Sequence, residues 1–191
     1  IAAAVDGFRK KYPEVAFELY SETADRTKER LDRGVLDLGL LVEPGDIEKY
    51  DFLCLGITDR CGVMMRADSP LARREHVTLD DIRDVPVVVN LRSEVRRFYR
   101  QALGDGYEKL NVLASVDLNG NAAYFVKQGL AYGVTLEGAM AQYGEEKLCF
   151  RPFCPEIRQE TYLVWKKYQP ASRAVKAFIE HVTMLLPYKE A

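Results

Sequence analysis

Val85-Pro86-Val87-Val88-Val89-Asn90 is followed by Leu91-Arg92-Ser93 and then by Glu94-Val95-Arg96-Arg97-Phe98-Tyr99-Arg100-Gln101-Ala102-Leu103-Gly104. The first run stays apolar until its last residue, as a strand covered on both faces of a parallel sheet must, and Pro86 is tolerable only near its start. In the second run Val95, Phe98, Tyr99 and Ala102 fall on one helical face, Ser93 is placed to cap the start, and Gly104 ends it. Strand, short junction and amphipathic helix make one βα cycle. The cycle recurs along the chain, but with irregular strands between repeats.

Upstream, Ala2 to Lys11 predicts a helix with Val5 and Phe8 three apart and basic residues in its last turn, stopped by Pro13. Val15 to Tyr20 alternates as a strand, with Val15, Phe17 and Leu19 on one face. Ser21 or Thr23 caps the next helix, in which Thr27 and Leu31 share a face and Gly34 supplies the permissive C-terminal position. Leu36 to Val42 is apolar on both faces apart from Asp37, which predicts a strand covered above and below. Glu43-Pro44-Gly45-Asp46 ends it. Two further strands are expected, at Asp51 to Ile57 and at Cys61 to Arg66, before the turn at Asp68-Ser69-Pro70.

Beyond that turn, Thr78-Leu79-Asp80-Asp81 has the pattern of a capping box, and Val77 with Ile82 has the spacing of a hydrophobic staple. After the opening stretch come a strand from Asn111 to Val116 and a helix opened by Asn119-Gly120-Asn121 and closed by Gly129. A strand at Tyr132 to Thr135, a short helix to Gln142, and strands at Leu148 to Phe153 and Gln159 to Trp165 follow. The last helix, Ala171 to Leu186, carries Val175, Phe178, Ile179 and Val182 as its apolar stripe. The pattern predicts an α/β fold of two lobes. Residues 1–66 with 162–191 would form the first and residues 67–161 the second, with strands near Cys61 to Arg66 and Gln159 to Trp165 as the crossovers.

Composition narrows the function. Of 191 residues, 48% are hydrophobic and 29% charged, enough for a substantial core in a soluble protein. A formal charge of -2 and a pI near 5.8 argue against this chain gripping phosphate backbones itself. No apolar stretch approaches the ~20 residues of a membrane span, and no secretory leader is evident. The opening Ile1-Ala2-Ala3-Ala4-Val5 reads like a helix whose preceding strand has been cut away. Cys54, Cys61, Cys149 and Cys154 lack Cys-x-x-Cys spacing and lie far from His76 and His181, so they read as small hydrophobes in a reducing compartment rather than as metal ligands. No phosphate-binding glycine loop and no Ser-His-Asp arrangement is visible. Neither an enzyme, a metal nor a cofactor is expected.

Four stretches in register carry a resemblance. Phe8 to Val15 (FRKKYPEV), Leu31 to Leu40 (LDRGVLDLGL), Gly62 to Ala72 (GVMMRADSPLA) and Val126 to Val134 (VKQGLAYGV) resemble the effector-binding, or substrate-binding, domain of LysR-type transcriptional regulators. The resemblance implies a type-2 periplasmic-binding-protein-like fold: two Rossmann-like lobes joined by two crossover strands, with a small-molecule effector in the cleft between them. It also implies an N-terminal winged helix-turn-helix domain, absent from this chain, through which alone promoter DNA is bound. A homodimer or tetramer, a cytoplasmic location and no membrane partner go with it.

In open α/β sheets ligands collect outside the carboxyl ends of strands, where helix N-termini offer unclaimed N–H groups. That rule selects Ser21, Glu22, Thr23 and Glu43 in the first lobe and Asn90, Arg92, Ser93, Asn119 and Asn121 in the second; the resemblance puts effector contacts in the same loops, and Ser21, Thr23, Glu43, Asn90, Arg92, Ser93 and Asn119 are the expected effector-binding residues. Ser21, Thr23, Ser93 and Asn119 also read simply as helix caps, and Glu43 as a solvated loop residue. Arg92 is placed to clamp a carboxylate through both guanidinium nitrogens, though Arg92, Arg96 and Arg100 also repeat as a solvated helix face. The expected function is a sensory domain for an organic or aromatic acid. The alternative is a transport solute-binding protein of the same architecture.

Overall fold

The computed structural model describes residues 1–42, 48–143 and 147–186, which form two compact units. The chain passes from one unit to the other at Ile57/Thr58 and again at Gln159/Glu160. Both crossings lie within strands, β2 (Tyr50–Arg66) and β7 (Arg158–Lys166).

In the first unit, α1 (Ala2–Lys11) and α6 (Arg173–Leu185) are held together by aromatic packing. Phe8 is 1% exposed and meets the Phe178 ring edge-on at 5.2 Å and that of Phe17 at 6.0 Å. The Ser172 hydroxyl accepts from the Val175 N–H at 3.2 Å and so starts α6. In α2 (Ala24–Asp32) the buried Thr27 and Leu31 share the inner face, and Gly34 adopts φ 68° just beyond its end. β1 (Gly39–Val42) pairs antiparallel with β7.

Three expectations fail in this unit. Val15 to Tyr20 belongs to no strand. Val15 and Phe17 pack into the cluster around Phe8, whereas Leu19 is 71% exposed; alternation reports which side chains are buried, but a strand needs a ladder partner. The second strand is confined to Gly39–Val42 and buries only alternate residues, because an edge strand in an antiparallel pair has one outer face. Its apolar outer residues Leu40 and Val42 mimic a doubly covered strand. The two strands expected at Asp51 to Ile57 and Cys61 to Arg66 are a single one, the polar run Thr58-Asp59-Arg60 interrupting the apolar pattern but not the strand.

The second unit is built on a sheet ordered β6-β2-β5-β3-β4, with β6 (Leu148–Pro152), β5 (Tyr132–Leu136), β3 (Val87–Asn90) and β4 (Val112–Val116). β5, β3 and β4 run parallel, while β2 pairs antiparallel with both β5 and β6. β3 is covered on both faces as expected. Val87 and Val89 face a core that includes Val63, Ile82, Tyr99 and Phe153, and Val88 faces Met64, Ala122, Ala123 and Val126. Each fully buried valine is worth about 1.5–3 kcal/mol, so β3 is the keel of this unit. α3 (Leu79–Ile82), α4 (Ser93–Leu103) and α5 (Asn119–Lys127) complete it, α4 ending at Gly104 with φ 78°. The predicted staple forms, with Val77 and Ile82 both 0% exposed.

Candidate functional site

The carboxyl ends of three parallel strands come together in the second unit, and two helices begin there. Asn90 closes β3 and is 8% exposed. Its Oδ1 accepts from the Arg92 N–H at 2.9 Å, an Asx-type turn that swings the chain from strand into α4. Its Nδ2 donates to Asn119 Oδ1 at 3.3 Å, at the start of α5. The Leu91 N–H donates to the Val116 carbonyl at 2.7 Å. One buried amide thus ties two neighbouring strand-to-helix junctions together, with both helix N-termini at the same sheet edge.

Arg92 occupies the N-cap position of α4, and its Nη2 meets Glu94 Oε2 at 2.6 Å, with the arginine side chain only 18% exposed. The predicted clamp is therefore already engaged by a carboxylate. Ser93 does not cap α4 as expected: it is the first helical residue and exposed. Asn90 fixes the Arg92 N–H and so starts the helix one residue earlier than a serine cap would. Arg96 reaches Glu108 at 3.5 Å, and Arg100 is exposed, so the arginine series is mainly a solvated face. Tyr124 is 71% exposed and no part of the core.

In the first unit Thr23 does cap α2, accepting from the Arg26 N–H at 3.4 Å, and Ser21 is exposed in the turn before it. Between them Glu22 pairs with Arg30 at 3.2 Å, both side chains 16% exposed, while the Arg30 guanidinium lies 4.0 Å from the Tyr20 ring centre. Glu43 lies outside the described residues. Asn90, Arg92, Ser93 and Asn119 are brought together in the second unit; Ser21 and Thr23 flank Glu22 in the first.

Sequence reasoning missed the end of β5. There Arg60 grips Glu137 through Nε and Nη2 at 2.7 and 2.6 Å, and the Asp59 carboxylate accepts from the Gly138 N–H at 2.9 Å. The hydrogen bond from Arg60 holds the Glu137 carboxyl below the usual carboxylate range, against the opposing effect of partial burial. Thr135, one strand over from Asn90, is 1% exposed. β5 was recognised as a strand, and the carboxyl-end rule applied to it would have selected Thr135 as it selected Asn90.

The arrangement offers amides, hydroxyls, helix N-termini and a guanidinium: groups that hold a polar ligand. Among the described residues no cluster of His, Cys, Asp and Glu could hold a metal ion. Of the four cysteines, Cys61 is buried, Cys54 and Cys149 are half-buried and Cys154 is exposed. Burial pushes the Cys149 thiol up, away from the reactive thiolate. No helix among the described residues is long and apolar enough to cross a membrane.

The model of the LysR substrate binding domain matches residues 1–186. The chain belongs to this family. It is the effector-binding domain of a LysR-type transcriptional regulator, a family of transcription factors and not of enzymes, which sets aside the transport-receptor alternative. It is 27% identical over 183 residues, 92% of its length, to the uncharacterised HTH-type transcriptional regulator YvbU of Bacillus subtilis. The chain spans about three fifths of the length of the curated relatives it first matches, 59% in that case. Its mixed α/β fold matches the effector-binding domain of QuiR in complex with shikimate, with TM-score 0.82 and 17% identity over 96% of this chain and 88% of that one. It also matches the regulatory domain of CcmR of Synechocystis PCC6803 in complex with 2-PG, with TM-score 0.78 and 15% identity over 97% and 90%.

Proposed function

We propose that this domain senses a small organic or aromatic acid, and that binding alters the DNA affinity of a winged helix-turn-helix domain on the same polypeptide. Contacts to the acid would come from Ser21, Thr23 and Glu43 in a first lobe, residues 1–66 with 162–191, and from Asn90, Arg92, Ser93 and Asn119 in a second, residues 67–161. The observation that carries this reading is the Asn90–Asn119 bond, which gathers two helix N-termini at one sheet edge. N–H groups of a first helical turn have no intrahelical partner and favour negative charge. That shikimate, a carboxylate, is the ligand named for QuiR fits the same chemistry.

An effector switches nothing unless it binds one arrangement more tightly than the other. The pairing of Arg92 with Glu94 supplies a differential: an entering carboxylate competes with Glu94 for the guanidinium, so the bound and empty states differ in a real ion pair. A two-fold homodimer, or a tetramer built from it, would couple that difference to promoter geometry in the cytoplasm; light scattering that read a monomer at micromolar concentration would contradict this. The formal charge of -2 agrees with DNA affinity residing outside this chain. A thermal-shift screen of organic acids tests the sensing itself. At about 100 times its Kd a single-site ligand adds about 2.7 kcal/mol, a rise of roughly 5–10 °C for a protein of this size. A flat response to every acid would remove the reading.

A further inference from the structure

The second unit holds a basic cavity of about 540 Å³, lined by Arg66, Ala67, Asp68, Lys127 and Lys147. Three elements bring its cations together. Arg66 ends β2, Lys127 ends α5, and Lys147 precedes β6, where its carbonyl accepts from the Ala67 N–H at 3.1 Å. Because β2 runs antiparallel to both β5 and β6, the end of β2 lies where those two strands begin. This is the edge of the sheet opposite the carboxyl ends of β3, β4 and β5. None of the residues proposed to contact the acid lines it.

The cations outnumber what the fold requires. A helix C-terminus carries roughly half a negative elementary charge, which one cation answers. Arg66 does so for α5: its Nη1 donates to the Lys127 carbonyl at 3.3 Å, while Nε and Nη2 grip the Asp68 carboxylate. Arg66 and Asp68 cancel as charges. Lys127 and Lys147 are then in excess, and neither has an ion-pair partner among the described residues. The Lys127 ammonium lies 5.0 Å from the Tyr143 ring centre, a contact that steadies the side chain without neutralising it. Both lysines are exposed, so the packing of the core does not call for them. The described lining thus sets three cations against one carboxylate, in a chain whose formal charge is -2. A concave surface of one sign concentrates counter-ions of the other.

We propose that this cavity is a second ligand site, which binds a phosphate dianion, free or as the ester of a small organic molecule, between Lys127 and Lys147. Charge selects the class. The two uncompensated ammonium groups match a phosphate monoester, which carries about -1.5 to -2 at neutral pH, whereas a carboxylate would answer only one of them. Arg66, with three of its five N–H donors engaged, presents the others in a fixed orientation. The volume lies within the roughly 300–1,000 Å³ of small-molecule sites, and Ala67 with the lysine stems gives an organic body apolar surface to lie on. The site is independent of the organic-acid reading and stands or falls without it.

Calorimetric titration at constant ionic strength with inorganic phosphate, glycerol 3-phosphate and acetate tests the assignment. At least one of the phosphates should bind with a Kd of about 1 mM or tighter, and acetate at least about tenfold more weakly. Lys127→Gln combined with Lys147→Gln should weaken the phosphates about tenfold or more at an unchanged melting temperature. Lys11→Gln with Lys176→Gln removes the same charge from exposed positions of the first unit and should stay within about twofold of the parent. Should the double variant unfold, Lys147→Gln alone, outside any helix or strand, carries the test. Tighter binding of glycerol 3-phosphate would make the ligand an ester, and equal or tighter binding of inorganic phosphate would make it the free ion; either bears the proposal out. Phosphate affinity that survives loss of both lysines, or falls as far in the control pair, overturns it. So does a DNA duplex that binds through these lysines when neither phosphate does, or a chain that takes up no phosphate at all.

Discussion

Asp81 concentrates several contacts on one carboxylate: the Thr78 N–H at 2.8 Å, the Thr78 hydroxyl at 2.9 Å and the Arg74 guanidinium at 2.6 Å. The N–H bond from Thr78 is the main cause holding its carboxyl below the usual carboxylate range. A lowered folded pKa means stability that is present above the unfolded value, near 3.9, and lost as the pH falls through the folded one. Asp81→Ala should cost about 1–2 kcal/mol at neutral pH, and urea melts should show the gap to the parent closing below about pH 4. A gap that persisted unchanged at lower pH would contradict the assignment. This capping box was legible from the Thr-x-x-Asp spacing because all its partners lie within four residues. The Asn90–Asn119 pair was half legible: each residue was selected alone, but their contact depends on β3 and β4 being neighbours. Thr135 was missed because its burial depends on the strands on either side of β5.

Among the elements, β3 was read directly because a strand covered on both faces leaves an unbroken apolar run. Val15 to Tyr20 was misread because alternation is also what an extended segment shows when one side lies on a core. β2 was split in two for a different reason: Thr58-Asp59-Arg60 is a polar run inside the strand, and it breaks the apolar pattern without breaking the ladder. Gly62 illustrates what sequence could not reveal. A Cβ there would sit 2.2 Å from the Arg151 carbonyl oxygen and 2.8 Å from Pro152 Cα, both backbone atoms of β6. Backbone cannot step aside as a flexible side chain does, so β2 and β6 would have to separate. Gly62→Ala should therefore destabilise by about 1–3 kcal/mol, a fall in melting temperature of roughly 2–12 °C. An unchanged melting temperature would show that β6 adjusts freely.

For the molecule as a whole, alternating strands and helices made the α/β class legible, and four sequence stretches in register pointed to the family that residues 1–186 match. Strand direction was less legible: β1, β2, β6 and β7 enter antiparallel pairings, and the apolar patterns of buried antiparallel and parallel strands are alike. The carboxyl edge of β3, β4 and β5 nevertheless brings two helix starts together, and the role proposed for it is to hold an acid and release it unchanged. Equilibrium dialysis with the best-binding acid, followed by chemical analysis of what is recovered, tests that claim most directly. One acid bound per chain and recovered unaltered is the predicted result; an acid that emerges converted, or that never partitions toward the protein at all, would contradict it.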